Sequence, residues 1–117
     1  MLVVTVDNSN NHLSEDSLVI LVSTDKYLDH VIKLTTAAHA KGKRVSVFFT
    51  GKGVLLAVKP EVKQITDIAK VSICDASFRA NGLHGRECEV PGVGLEDFVP
   101  QAKNAEMLAV AQRHLVF

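Results

Sequence analysis

Tryptophan is absent from this sequence of 117 residues, and aromatic residues make up only 5% of it. So few aromatic side chains argue against a surface on which nucleic-acid bases stack. Neither sign of charge is in excess, because 13 basic residues balance 13 acidic ones. We therefore expect no nucleic-acid partner and no attraction to an anionic membrane surface. The 47% of hydrophobic and 22% of charged residues are typical of a single globular domain.

Long hydrophobic runs are also missing. No segment approaches the roughly 18 apolar residues that a membrane-spanning helix needs, so we expect no membrane partner. The first apolar run, Leu2 to Val6, is too short for a secretory signal, follows no basic residue and is interrupted by Asp7. The chain has only two cysteines, and without an export signal these are expected to be thiols rather than a structural disulfide. These features predict a cytoplasmic location.

Several motifs of known chemistry are missing as well. The sequence contains neither G-x-x-x-x-G-K-[ST] nor G-x-G-x-x-G, so nucleotide binding has little support. No Ser-His-Asp grouping and no paired catalytic carboxylates stand out, which removes the support for a hydrolase. Cys74, His84 and Cys88 do not have the spacing of a zinc site, because C-x-x-C is absent. We expect neither a metal nor a cofactor.

What the sequence does contain is an alternation of strands and helices. The run Leu18 to Val22 is continuously apolar, which suits a parallel strand covered on both faces. Thr24 or Asp25 is expected to cap the helix that follows, and Gly42 to end it. One face of that helix is apolar at helical spacing: Leu28, Val31, Ile32, Thr35 and Ala38. With the strand Val45 to Phe49, this predicts a right-handed β-α-β unit.

The middle of the chain continues this alternation. A turn at Gly51 to Gly53 leads into a short helix or turn at Val54 to Val58. Pro60 opens another helix, which is followed by a third strand, Lys70 to Cys74. Asp75 is expected to cap a short helix after that strand.

The last part of the chain starts with a loop rich in glycine. Val90 or Val93 is expected to contribute a short fourth strand. Pro100 opens a last helix, and the segment His114 to Phe117 forms a terminal strand. Together the elements predict an α/β fold, a three-layer α/β/α domain with a mainly parallel sheet of about five strands.

The first 16 residues stand apart from this pattern. Leu2 to Val6 is an extra strand, and the polar stretch Asp7 to Asp16 is rich in Asn and Ser. That stretch either connects an edge strand to the main body or forms a mobile arm, and the sequence leaves both open. We therefore divide the chain into an amino-terminal strand and arm, 1–16, and an α/β domain, 17–117.

Cys74 is the leading candidate for chemistry, because it lies at the carboxyl end of a predicted parallel strand, where open α/β sheets place their binding crevices. The amide groups of the next helix and Arg79 one turn downstream favour a thiolate there. The negative charge of Asp75 disfavours it. A cysteine at the end of a buried strand is also often a small apolar core residue. From the residues alone, both interpretations of Cys74 stay open.

Two other groups of residues accompany Cys74. The strand ends should bring five residues to the same crevice: Thr24, Asp25, Gly51, Lys52 and Gly53. The simplest interpretation of the glycines is a tight turn that lets the chain leave the sheet. Cys88, in the glycine-rich loop, is either a passive surface cysteine or a second thiol that resolves a sulfenic acid or persulfide on Cys74, or forms a disulfide with it.

Taken together, the chain resembles the DsrE/DsrF-like family of small α/β proteins, which includes the sulfur-relay subunits of the TusD type. The segments that carry the resemblance are Leu18 to Gly42, Val45 to Phe49 with Gly53 to Leu56, Val71 to Cys74 with Gly82 after it, and Leu115 to Phe117.

The resemblance implies that a cysteine at this strand end accepts a sulfane sulfur from a donor thiol and passes it on as a persulfide. Only Cys74 matches that position. It implies a sulfurtransferase-like carrier, with donor and acceptor thiol proteins as partners, that forms a homo-oligomer, a trimer or hexamer. Two alternatives stay open: a non-catalytic oligomeric module that binds a small molecule or a protein, and a thiol redox protein that cycles Cys74 and Cys88.

Overall fold

Runs of β-branched and apolar residues form the strands of one sheet. The computed structural model describes residues 2–5, 17–110 and 113–117, and over these residues the sheet has six strands. They are β1 (Leu2–Thr5), β2 (Ser17–Val22), β3 (Arg44–Phe49), β4 (Lys70–Cys74), β5 (Phe98–Val99) and β6 (Arg113–Val116). Their order across the sheet is β1-β6-β2-β3-β4-β5. At one edge β1 pairs antiparallel with β6, and the other neighbours pair parallel.

Helices connect most of these strands. They are α1 (Leu28–Ala40), α2 (Val54–Ala57), α3 (Lys63–Thr66), α4 (Asp75–Ala80) and α5 (Gln101–Val110). Short 3-10 turns lie at Gly51–Gly53, Pro60–Val62, Glu87–Glu89 and Leu95–Asp97. As predicted, Gly42 stops α1: it lies two residues after the last helical residue, Ala40, and its φ of 79° suits a residue without a Cβ.

The path of the chain places the helices on both faces of the sheet. From β2 through β3 and β4 to β5 the chain steps across the sheet in one direction, and from β5 to β6 it returns in the other. Crossovers between parallel strands are right-handed, so α1 to α4 lie on one face, the first face, and α5 on the opposite, second face. Contacts of α1 with α3 and of α2 with α4 agree with this arrangement. The predicted three-layer α/β/α fold is confirmed.

The main core lies between the sheet and α1 to α4. Val71 and Ile73 belong to it, together with fully buried residues of the helices such as Val31 and Phe78. Side chains alternate along a strand, so Ser72 and Cys74 point to the second face. There they are buried too, as are Val19 and Phe48 of the neighbouring strands. Burial on both faces explains why the strands are continuously apolar in sequence.

Three local predictions were wrong. The strand expected at Val90 or Val93 lies instead at β5, where Phe98 pairs with Ile73 of β4. Neither Thr24 nor Asp25 caps α1, because a bend separates them from the helix and Tyr27 takes the capping position. Cys74 rather than Asp75 precedes the first residue of α4. The polar stretch Asp7 to Asp16 lies outside the described residues, and the division at residue 16 stays a prediction.

The partly buried carboxylate of Asp97 holds the segment that leads into β5 in place. Asp97 Oδ1 accepts a hydrogen bond of 2.7 Å from Lys70 Nζ, and its Oδ2 accepts one of 2.9 Å from the N–H of Gly94. Burial raises the pKa of Asp97, but the hydrogen bonds from Lys70 and Gly94 and the charge of Lys70 lower it more. The net pKa is therefore below its usual range, which means that the folded state favours the ionised carboxylate.

We expect Asp97→Asn to lower the free energy of unfolding by about 1–2 kcal/mol near neutral pH. Because the pKa of Asp97 is lower in the folded state than its unfolded value of about 4, the ionised carboxylate stabilises the folded protein above about pH 4. This stabilisation is lost as the pH falls through the folded-state pKa. The deficit should therefore shrink between about pH 7 and pH 3, as measured by urea unfolding. A deficit that is the same at both pH values would contradict this account.

Asp67→Asn is the matched control for Asp97→Asn. Asp67 is also paired with a lysine, Lys63, at 2.9 Å, but its side chain is 57% exposed whereas that of Asp97 is 11% exposed. Exposed ion pairs contribute little to stability. The control variant should therefore unfold almost like the parent at both pH values.

Candidate functional site

Four neighbouring parallel strands end at the same edge of the sheet. Ser23, Thr50, Asp75 and Pro100 follow β2, β3, β4 and β5 there. This carboxyl edge is where open α/β sheets bind ligands. The sequence-based prediction placed the candidate crevice at this edge.

Hydrogen bonds join the turn after β3 to α4. The N–H of Gly51 donates to Ser77 Oγ at 2.9 Å, and Ser77 Oγ lies 3.4 Å from the hydroxyl of the buried Thr50. From α4, Asn81 Nδ2 donates to the carbonyl oxygens of Gly51, at 3.2 Å, and Ser77, at 2.8 Å. The amide and the carbonyl of Gly51 are thus already bonded within the protein, so this turn does not present them as an open phosphate loop.

The glycines of this turn let it pack on the end of β2. A Cβ at Gly53 would overlap the carbonyl oxygen of Val22. Gly51 has a φ of 52°, and a Cβ there would lie 3.3 Å from the carbonyl oxygen of Ser23. These close approaches explain why both positions are glycine and support the interpretation of Gly51–Gly53 as a tight turn. Lys52, between the two glycines, is exposed.

Thr24 and Asp25 lie on the other side of this turn. Thr24 is half-buried, and its Oγ1 has no hydrogen-bond partner among the described residues. Asp25 is exposed and lines an open groove of about 380 Å³ with Lys26, Leu28, Asp29, His30, Leu56, Lys59 and Glu61. Cys74 does not line that groove, so the structure separates Asp25 from the thiol.

Cys74 is the last residue of β4 and is only 2% exposed. Its side chain makes no capping hydrogen bond to α4. Val99 of β5 pairs with it on one side. Thr50 lies on the other side. Phe49 pairs with Ile73, so the residues that follow them, Thr50 and Cys74, lie next to each other. The thiol is thus enclosed by neighbours on both adjacent strands.

The charged residues after Cys74 are paired with each other. Arg79 Nε donates to Asp75 Oδ2 at 3.1 Å, one helical turn apart on α4. Both side chains are partly exposed. In this structure the guanidinium of Arg79 thus neutralises Asp75, whereas the sequence-based hypothesis had it facing the sulfur.

Cys88 has a different environment from Cys74. It is exposed, lies in the turn Glu87–Glu89, and neither cysteine is in a disulfide. Arg86 closes that turn by donating from Nε and Nη2 to the two carboxylate oxygens of Glu89, at 2.8 and 2.9 Å. The hydrogen bond from Arg86 lowers the pKa of Glu89.

Comparison with known proteins assigns the family. The family model described as DsrE/DsrF-like matches residues 16–112, which is most of the chain. The chain belongs to the DsrE/DsrF-like family. Proteins of this family are generally associated with sulfur relay. A search of curated proteins found no significant match.

Among the described residues there is neither a cluster of metal ligands nor a membrane-spanning helix. Over residues 2–5, 17–110 and 113–117, no three His, Cys, Asp or Glu side chains are grouped as metal ligands. His84 instead lies with its Nδ1 3.5 Å from Glu87 Oε1. Within the same part of the chain, no helix has both the length and the apolar character needed to cross a bilayer.

The sequence analysis missed four polar residues at the carboxyl edge. Besides Thr50, Ser77 and Asn81, the structure places Gln101 at this edge, where its Nε2 donates to Thr50 Oγ1 at 3.1 Å. Gln101 and Thr50 are 51 residues apart in the chain. Only the strand order brings them together, so no local pattern signals this contact. Thr50 carried a weak signal, since it directly follows a predicted strand.

We expect the two thiols of the native protein to alkylate in two separate phases. Cys88 is exposed and should react at once, whereas Cys74 is 2% exposed and should react only through local opening, at least about tenfold more slowly. Iodoacetamide labelling followed by mass spectrometry measures both rates. Cys74→Ser should remove the slow phase and Cys88→Ser the fast one, and equal rates for the two thiols would refute this assignment.

Proposed function

We propose that this member of the DsrE/DsrF-like family is a sulfur carrier in which Cys74 accepts a sulfane sulfur and passes it on. The observation that carries the proposal is the place of Cys74. It ends β4, an interior parallel strand, at the carboxyl edge and directly before α4, and the family resemblance assigns the acceptor cysteine to that position.

The chemistry needs two thiol-exchange steps and no oxidant. In the first step the Cys74 thiolate attacks the terminal sulfur of a donor persulfide, R–S–SH. A new S–S bond forms on Cys74, the S–S bond of the donor breaks, and the donor leaves as the thiolate R–S⁻. In the second step an acceptor thiolate attacks the terminal sulfur of Cys74–S–SH. The acceptor becomes a persulfide, and Cys74 returns as a thiolate.

Other residues near Cys74 have supporting roles in this proposal. Arg79 is paired with Asp75 on α4, on the first face, so in this proposal it offsets the negative charge next to Cys74 rather than contacting the sulfur. Cys88 is a second thiol on an exposed turn, available to receive the terminal sulfur from the Cys74 persulfide. Alternatively, its thiolate attacks the inner sulfur of that persulfide, which forms a Cys74–Cys88 disulfide and releases hydrosulfide. The partners are donor and acceptor thiol proteins, and their docking has to uncover a side chain that is 2% exposed.

The burial of Cys74 also favours a second candidate function. A cysteine enclosed by its neighbours can simply be a small apolar core residue. The protein would then be a non-catalytic module that binds a small molecule or a protein and has kept the fold of a sulfur carrier. Its candidate ligand site would be the groove that includes Asp25 and His30.

Sulfur loading separates the two candidates. We expect Cys88→Ser to gain one sulfur atom on Cys74 from a low-molecular-weight persulfide donor, and a reductant to remove it. Because the exposed Cys88 also reacts with the donor, peptide mapping of the parent and of Cys74→Ser assigns each added sulfur to its thiol, and Cys74→Ser should carry none beyond that on Cys88. Intact mass spectrometry measures the gain, and circular dichroism confirms that each variant is folded. If Cys74→Ser accepts as much sulfur as the parent, the carrier function assigned to Cys74 is wrong.

We also propose that copies of this chain associate through the second face of the sheet. On that face Phe48 and Cys74 are buried, whereas Leu21 of β2 and Val116 of β6, which are paired in register, stay half-exposed. A second copy is the occupant that the family resemblance implies, as a trimer or hexamer. Covering an apolar strip of this kind favours association.

Light scattering on the purified protein tests the proposed association. We expect a mass three or six times that of the 12.7 kDa chain. Leu21→Glu should lower it toward the monomer, because the charge would be buried without a partner. Thr36→Glu, at an exposed position of α1 on the first face, is the control and should keep the assembly. A monomeric parent protein at micromolar concentration would contradict this part of the proposal.

A further inference from the structure

We infer that Gln101 and Thr50 form a latch, the hydrogen bond between their side chains, that closes over Cys74 and has to open before sulfur is transferred. The role of the latch in sulfur transfer rests on the proposed function, whereas the hydrogen bond and its position relative to Cys74 do not depend on that function.

The strand order places the latch across the end of β4. Gln101 is the first residue of α5 and comes two residues after β5 ends. Thr50 directly follows β3. Because β4 lies between β3 and β5, the bond of 3.1 Å from Gln101 Nε2 to Thr50 Oγ1 has to cross the end of β4. The residue at that end is Cys74.

The latch and the sulfur also lie on the same face of the sheet. Cys74 points to the second face, because Ile73 before it belongs to the core on the first face. The return crossover from β5 to β6 puts α5 on that second face as well. The first turn of α5 therefore lies on the side of the sheet to which the thiol points, while Thr50 and Val99 flank Cys74 on the adjacent strands. This arrangement accounts for an exposure of 2% at the edge of a sheet.

A chain of hydrogen bonds connects the latch to the glycine turn. Thr50 Oγ1 accepts from Gln101, which leaves its own proton free to point at Ser77 Oγ, 3.4 Å away. Ser77 Oγ in turn accepts from the N–H of Gly51 at 2.9 Å. The latch thus depends on the same polar residues that hold the turn after β3 against α4.

Little apolar burial holds α5 in the closed position. Most of its side chains are exposed, namely Gln101, Ala102, Lys103, Ala105, Glu106 and Ala109. Segments with few buried apolar contacts open at low free energy. A partner that takes up the amide of Gln101, or that draws the first turn of α5 aside, would therefore uncover Cys74. In the closed state, a persulfide on Cys74 would be shielded from water and from small thiols.

The rate at which Cys74 is alkylated tests the latch. The measurement uses Cys88→Ser as the background, so that only one thiol reacts. We expect Gln101→Ala and Thr50→Val each to raise the rate about fivefold to tenfold, as the loss of one neutral hydrogen bond allows. The double variant should react no faster than the faster single variant, because both changes remove the same bond.

Gln64→Ala is the matched control, since Gln64 is an exposed glutamine on α3, on the first face. It should leave the rate unchanged. Urea unfolding of each variant shows whether a faster rate comes from global loss of stability. The latch is refuted if Gln101→Ala and Thr50→Val alkylate at the parent rate, or if Gln64→Ala is accelerated equally.

Sulfur loading of the same variants distinguishes a failure of the latch from a failure of the carrier function. If alkylation accelerates but Cys74 takes up no sulfur in any variant, the latch stands and the carrier function is wrong. If Cys74 takes up sulfur while alkylation is unaffected by both changes, the carrier function stands and the latch is wrong.

Discussion

The change of direction after β5 is the constraint on which the candidate site depends. Three right-handed crossovers in one direction place α1 to α4 on the first face, and the return to β6 leaves the second face to α5. Strand alternation then assigns Cys74 to the second face, although the helix that begins directly after it lies on the first. The thiol therefore belongs to the environment of α5 rather than to that of α4.

This separation changes which groups determine the reactivity and accessibility of the thiol. A cysteine before a helix is usually discussed in terms of the helix amides and nearby cations. Here the sulfur makes no capping bond to α4, and Arg79 is engaged with Asp75. Instead, Val99 pairs with Cys74 on the adjacent strand, and the hydrogen bond between Gln101 and Thr50 crosses the end of β4. Access to the sulfur is then governed by whether the first turn of α5 stays in place.

The sequence predicted those parts of the fold that have a local physical cause. The apolar run in β2, the stop at Gly42 and the strand ending at Cys74 each follow from the residues present. The two-residue strand β5 does not, because it exists through pairing with β4. The contact between Gln101 and Thr50 is invisible for the same reason, since it needs the strand order and the hand of the last crossover.

Burial and reactivity make opposite demands on Cys74. A sulfur carrier has to react with two different thiols, yet a loaded persulfide that stayed open to solvent would lose its sulfur to any small thiol it met. A rigid exposed site satisfies only the first demand, and a rigid buried one only the second. A covering element with few apolar contacts satisfies both, because docking of a partner can supply the small free energy that opening requires. The weakly anchored α5, held near its start by the side chain of one glutamine, has the properties that this solution needs.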